Sequence, residues 1–116
     1  MSIYTNKYII EKAPKIISTT PNNQKTGFSR TEIITIKFNE NIKKSTQWSN
    51  IQMKNLTTGK KVSITQQIKG NTLYIKMVFL RYAYNWYQIT IPQAAIKDNN
   101  GHNLQANYTF KFKTGK

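Results

Sequence analysis

The sequence predicts an all-β fold, a β-sandwich of about seven antiparallel strands in two sheets. Three observations carry this. Apolar residues recur at every second position in several short runs, which gives a strand one buried and one wet face. Glycine and asparagine clusters separate the runs. No stretch has the 3.6-residue periodicity of a long amphipathic helix. Many short strands with turns between them and no helices read as two packed sheets.

Taken in order, residues 1–13 precede the first pattern and read as a linker or tail, although Tyr8, Ile9 and Ile10 could extend a sheet edge. Residues 14–116 form the domain. Ile16 or Ile17 marks a first short strand, and Pro21 to Gly27 is a loop. Ile34, Ile36 and Phe38 alternate with Thr35 and Lys37 to give a clear second strand. Ser45 to Asn50 is long enough for one helical turn, and Ile51 with Met53 marks the next strand. Asn55 to Lys60 contains Thr58-Gly59, a hairpin turn. Val62, Ile64 and Ile68 make a weaker strand, followed by Gly70-Asn71, a two-residue hairpin signal. Leu73, Ile75 and Met77, then Tyr87, Ile89 and Ile91, then Tyr108, Phe110 and Phe112 complete the set. Gln93 to Ile96 is a second single helical turn, and Asp98 to Gly101 a loop. The predicted core is Ile34, Ile36, Phe38, Leu73, Ile75, Ile89, Ile91, Phe110 and Phe112.

Composition narrows the function. The 116 residues suit one domain, with 38% hydrophobic and 12% aromatic residues, which argues against wholesale disorder. There is no cysteine, so thiol nucleophiles and thiolate metal sites are excluded. Eighteen Lys and Arg face four acids, a formal charge of +14, which predicts attraction to polyanions. No run approaches the 18 apolar residues of a membrane span. The opening MSIYTNKYIIEK lacks the apolar stretch of a signal peptide, so an exported protein would carry this chain as part of a longer one.

The order of the patterned segments resembles a known family. Pro14-Lys-Ile-Ile-Ser-Thr-Thr-Pro21 looks like the opening strand of the bacterial-type Ig-like domains of S-layer and adhesin-like surface proteins. Ile34-Thr-Ile-Lys-Phe38-Asn-Glu40-Asn-Ile42 is similar to that family's second strand, with Asn39 in place of the usual Ser or Thr. Leu73-Tyr-Ile75 and Tyr87-Gln-Ile89-Thr-Ile91-Pro92 fit its middle and penultimate strands. Asp98 to Leu104 and Tyr108 to Thr114 look like its closing loop and last strand, with His102 in place of a common Asn. The resemblance covers residues 14 to 115 and extends to the repeated Ig-like modules of archaeal adhesin-like proteins. It implies an Ig-like sandwich in a longer, often repetitive extracellular chain, with no catalytic residues and no cofactor.

The candidate sites are few. Asp98, Asn100 and His102 alternate like metal ligands. Calcium, however, takes six to eight oxygens and zinc three or four N or S ligands, whereas this stretch offers one carboxylate and one imidazole. A turn in which Asp98 bonds its own backbone is the simpler reading, so no metal is expected. Glu11, Glu32, Glu40 and Asp98 are too dispersed in sequence to suggest a glycosidase pair, and no nucleophile elbow or phosphate loop is present. Trp86, Tyr74, Tyr82 and Tyr84 lie off the inward parity or in a loop and could contact a sugar; Trp48 and some tyrosines equally suit plugs at the sandwich ends. Tyr87 suits a tyrosine corner. Asn55 and Asn107 head N-x-Thr sequons, of which Asn55, in a turn, looks the better acceptor. Lys37 and Lys76 should face outward on one sheet, and Lys54, Lys111 and Lys113 on the other. Charge on both faces argues against one nucleic-acid groove. The expected function is a non-catalytic structural or adhesive surface module. Its expected partners are neighbouring Ig-like repeats, anionic wall polymer, glycan or a surface protein, with a monomeric isolated domain. A carbohydrate- or wall-polymer-binding module is the alternative, and a basic nucleic-acid-binding domain a more distant one.

Overall fold

The computed structural model describes residues 13–116, so the Tyr8–Ile10 edge expectation lies outside the described residues. Among the described residues eleven short strands form the fold: β1 (Ile16–Thr20), β2 (Lys25–Phe28), β3 (Ile34–Phe38), β4 (Ile42–Lys44), β5 (Gln52–Asn55), β6 (Lys60–Val62), β7 (Ile64–Lys69), β8 (Thr72–Met77), β9 (Trp86–Ile91), β10 (Ile96–Asp98) and β11 (Tyr108–Thr114). One sheet has the order β1-β3-β8-β7, the other β2-β11-β9-β5-β6, and β4 with β10 makes a two-stranded ribbon. The helical turns are 3-10 turns, Trp48–Asn50 and Gln93–Ala95.

The predicted strands are where alternation placed them, because each buries one face. All nine predicted core residues are buried, and β3 shows the pattern cleanly: Ile34, Ile36 and Phe38 inside, Lys37 outside. Burying such a side chain contributes about 1.5–3 kcal/mol. Register follows the apolar faces: Ile34 opposes Ile75 and Ile36 opposes Leu73, while Ile89 opposes both Met53 and Phe110. A slip of one residue would turn every one of these side chains outward.

Three strands exceed the predicted set, and each lacks a period-two signature. β2 contributes only Phe28 to the core, β4 only Ile42, and β10 buries Ile96 and Asp98 around Lys97. β2 also breaks the expected antiparallel pattern, since it pairs parallel with β11. The predicted strand around Val62 and Ile64 is two strands, because at Ser63 the chain leaves one sheet and enters the other. Ile16 packs against the core whereas Ile17 is exposed at an irregularity in the β1–β3 ladder, which settles that ambiguity as a bulge.

The turns carry the expected chemistry. Gly70-Asn71 joins β7 to β8 with Lys69 paired to Thr72, and Gly70 alone of the two has a positive φ (61°), the type II′ pattern. Residues outside the long strands complete the core. Ile42 and Ile96 reach it from the β4–β10 ribbon, Ala95 from the second 3-10 turn, and Ile51 and Leu104 from connections.

Candidate functional site

The 97–104 loop is built around one buried carboxylate. β10 delivers Asp98 to the loop, where it is 1% exposed. Its Oδ1 accepts the backbone N–H groups of Asn100 and His102, each at 2.9 Å, and its Oδ2 lies 3.0 Å from His102 Nδ1. Asp98 N donates to the His102 carbonyl, and Gly101 supplies the turn's positive φ of 87°. Burial by itself pushes the Asp98 carboxyl up. The hydrogen bonds from the His102 backbone, the His102 ring and the Asn100 backbone, with the charge of His102, outweigh it and hold the pKa below the ordinary 3.8. Both oxygens are therefore committed to the turn. Among the described residues no group of three or more His, Asp or Glu is placed to hold a metal.

The four aromatic candidates do not converge. Tyr74, on β8, is half-buried beside a shallow groove of about 320 Å³ on the four-stranded sheet, with Ile33, Thr65, Gln67, Lys69 and Lys76. Trp86, on β9, belongs to the other sheet, and its ring lies 5.3 Å from the Lys111 ammonium. Tyr82 and Tyr84 project from the β8–β9 connection, 63% and 58% exposed. A single sugar platform built from all four is thus ruled out by the two-sheet geometry. Trp48 is half-buried against the core, with Lys44 Nζ 5.2 Å from its ring, as an end plug should be.

The two sequons reverse their expected order. Asn55 ends β5 and is only 2% exposed; its Oδ1 accepts Thr57 N–H at 2.8 Å and Thr58 N–H at 3.0 Å, and it shapes the turn to Lys60. A side chain spent inside the turn is a poor acceptor for a bulky glycan. Asn107 is exposed, and its Oδ1 accepts Gln93 N–H at 2.8 Å. The lysines follow the parity: Lys37 and Lys76 are exposed on one sheet, Lys54 and Lys111 on the other, with Lys113 half-buried.

The β8–β9 connection, residues 78–85, is not legible in the sequence as a unit. Arg81 at its centre is 1% exposed. Its Nη2 donates to the carbonyls of Ser29 (2.7 Å) and Glu32 (2.6 Å), and its Nε to Ser29 (3.2 Å). The guanidinium also sits 5.1 Å from the Phe28 ring and 5.8 Å from that of Phe112. Burial lowers its pKa, with Tyr87 and Glu32 acting the other way. Arg30 Nε returns a bond to the Arg81 carbonyl at 2.6 Å. Tyr87, fully buried, accepts Tyr82 N–H at 2.7 Å with its hydroxyl, the expected corner. Thr114 Oγ1 donates to the Tyr82 carbonyl at 2.6 Å and accepts Asn85 N–H at 3.0 Å. The one sequence signal is an arginine inside an otherwise apolar and aromatic run, VFLRYAY.

Across this framework the sequence matches the bacterial Ig-like domain family over residues 10–114. The chain belongs to that family. None of the curated proteins matches it. Among solved structures, the Ig-like domain is similar to the N-terminal part of the bacterial S-layer protein SbsC, with a TM-score of 0.66 and 15% identity over 97% of this chain. It spans only 26% of that SbsC chain. A structure of SbsC domains 1–6 gives a TM-score of 0.66 and 17% identity over 97% of this chain and 15% of that one. CopC from Methylosinus trichosporium OB3b gives 0.63 and 13% identity, covering 88% of this chain and 93% of CopC. At such identities the likeness is one of fold. Within the Ig-like domain, Asn55, Tyr87, Asp98 and His102 are engaged in holding turns, whereas the outer rim of the 78–85 connection exposes Val78, Phe79, Leu80, Tyr82 and Tyr84.

Proposed function

We propose that this Ig-like domain is a non-catalytic structural and adhesive module of a longer cell-surface protein, a rigid brick that spaces or presents its neighbours. The family match over residues 10–114 carries the reading. The fold likeness to an S-layer protein supports it, as does the commitment of Asp98, His102 and Tyr87 to turn architecture. Lysines on both sheets suit a module in contact with an anionic envelope, with wall polymer, glycan or a surface protein as partner and further Ig-like repeats as covalent neighbours. Antibodies raised against residues 14–116 test it. Labelling of intact cells is expected; labelling only after permeabilisation would overturn the surface assignment.

A second reading, a carbohydrate-binding module, is favoured by one feature: the groove where Tyr74 adjoins Thr65, Gln67 and Lys76, an aromatic ring edged by hydrogen-bonding groups. A glycan array separates the two, with specific signal lost in Tyr74→Ala supporting the second reading.

A further inference from the structure

The β8–β9 connection is an arch with a fixed base and an apolar crest. Its base is held by the buried Arg81, by the Tyr87 corner and by Thr114. Tyr84 N–H donates to the Gly115 carbonyl at 3.0 Å, and Tyr84 itself sits at φ 57°, a left-handed conformation unusual for an aromatic residue. Exposure of the crest therefore coincides with a well-anchored backbone. Within seven residues Val78 (53%), Phe79 (73%), Leu80 (51%), Tyr82 and Tyr84 all turn outward. Isolated exposed apolar residues are ordinary, but a contiguous set on one connection marks an interaction surface.

Charge says what kind. One flank of the crest is a groove shared by Phe79, Leu80 and Tyr82 with Lys60 and Lys61. The other is shared by Val78, Phe79 and Leu80 with Arg30 and Lys76, and with one acid, Glu32. Lys116 follows Gly115 at the foot of the arch. A hydrophilic polyanion would satisfy the basic flanks but leave Phe79 in water. A second copy would bring two +14 molecules crest to crest, lysine against lysine. An anionic bilayer answers both features: headgroups meet the basic flanks while the crest enters the interfacial zone, where aromatic rings with a polar tip are at home.

We propose that the Val78–Tyr84 arch is a membrane-docking tip that inserts Phe79 and Leu80 into an anionic lipid surface, with Lys60, Lys61, Arg30 and Lys76 as its electrostatic collar. Co-sedimentation of the full chain with phosphatidylcholine vesicles, with and without about one-third phosphatidylglycerol, tests this. Binding is expected only with the anionic lipid and should weaken with salt. The double variant Phe79→Ser/Leu80→Ser should lower the partition coefficient about tenfold or more, with melting unchanged because both side chains face solvent. Lys60→Glu/Lys61→Glu should lower it too. In Phe79→Trp, emission should shift to the blue on anionic vesicles, beyond any shift that Trp48 and Trp86 give in the unaltered chain. No binding to anionic vesicles would overturn the proposal and leave the crest to a protein partner. Binding indifferent to the Phe79 and Leu80 changes, or emission from the Phe79→Trp variant that does not shift, would overturn it as adsorption by charge alone.

Discussion

Removing one oxygen atom tests whether the tyrosine corner holds the arch. Tyr87→Phe keeps the ring, which is fully buried and stacked 5.7 Å from Phe112, and deletes only the hydroxyl. That hydroxyl accepts the Tyr82 N–H at 2.7 Å, the single bond the structure gives this amide. Volume barely changes, so no cavity contribution enters. The loss is the bond itself, about 0.5–1.5 kcal/mol, rising to about 1–3 kcal/mol if the amide finds no substitute. For a domain near 100 residues, 1 kcal/mol moves the melting point by about 4–8 °C, so a drop of about 2 °C or more is expected. Urea unfolding should show a lower midpoint with an unchanged slope, since the surface exposed on unfolding is the same. Hydrogen exchange adds a local signature: protection should fall at Tyr82 before it falls in β9. An unchanged midpoint together with unchanged Tyr82 exchange would refute the corner.

Other outcomes follow from the core, the closing loop and the charge. Phe110→Ala, in the middle of β11 and 2% exposed, should cost about 3–5 kcal/mol, and unchanged melting would show the inward parity to be wrong. Because the Asp98 pKa is lowered by folding, its contribution to stability is fully present above the ordinary value of 3.8 and is lost as pH falls through the lower folded value. Asp98→Asn should therefore flatten the acid limb of the stability curve, and an acid limb identical to wild type would contradict the role of these hydrogen bonds. Calorimetry with calcium and zinc should give no site tighter than about millimolar at the 97–104 loop; a stoichiometric micromolar site lost in Asp98→Ala would refute the turn reading. Any binding to DNA should fall steeply between about 50 and 200 mM salt and be displaced by heparin, whereas sequence-selective binding at physiological salt would show a reading surface on the lysine faces.

The sheets are legible because their strands repeat one physical constraint: every second side chain must leave water. Ile34-Thr-Ile-Lys-Phe38 announces its inner face, and β8, β9 and β11 do the same. β2, β4 and β10 are not legible, because each buries one or two residues and owes its pairing to the edge it meets. Side chains from short elements and connections that finish the core, such as Ile51, Ile96 and Leu104, carry no period either. The Asp98 turn is readable from ligand counting, since one carboxylate beside glycine has more use in a turn than on a metal. The fate of Asn55 is not readable, because a sequon in a turn says nothing of which way the amide points; here it points inward and caps the turn. Arg81 leaves only the weak mark of an arginine in an apolar and aromatic run, because its hydrogen-bond partners are backbone carbonyls about fifty residues upstream, which leave no mark in a sequence, and the rings it meets, Phe28 and Phe112, come from distant strands.

A rigid spacer must resist being pulled from its two ends, and the fold gives a reason that it should. β2 and β11 are parallel neighbours, with Lys25 beside Phe112 and Phe28 beside Thr114. Tension from the N-terminal side first meets β1, an edge strand held antiparallel to β3, and draws β2 from its start once β1 yields, while tension from the C-terminal side draws β11 from its end. The two parallel strands are then dragged in opposite directions along their length, which loads their hydrogen bonds together rather than one at a time. Single-molecule stretching of the domain between inert handles measures this directly. The expected result is one all-or-none rupture at the β2–β11 pair, releasing the contour of residues 25–114, about 310 Å at roughly 3.4 Å per residue, less the distance their ends spanned when folded. Gradual extension at low force, with no rupture event, would contradict the rigid-module reading.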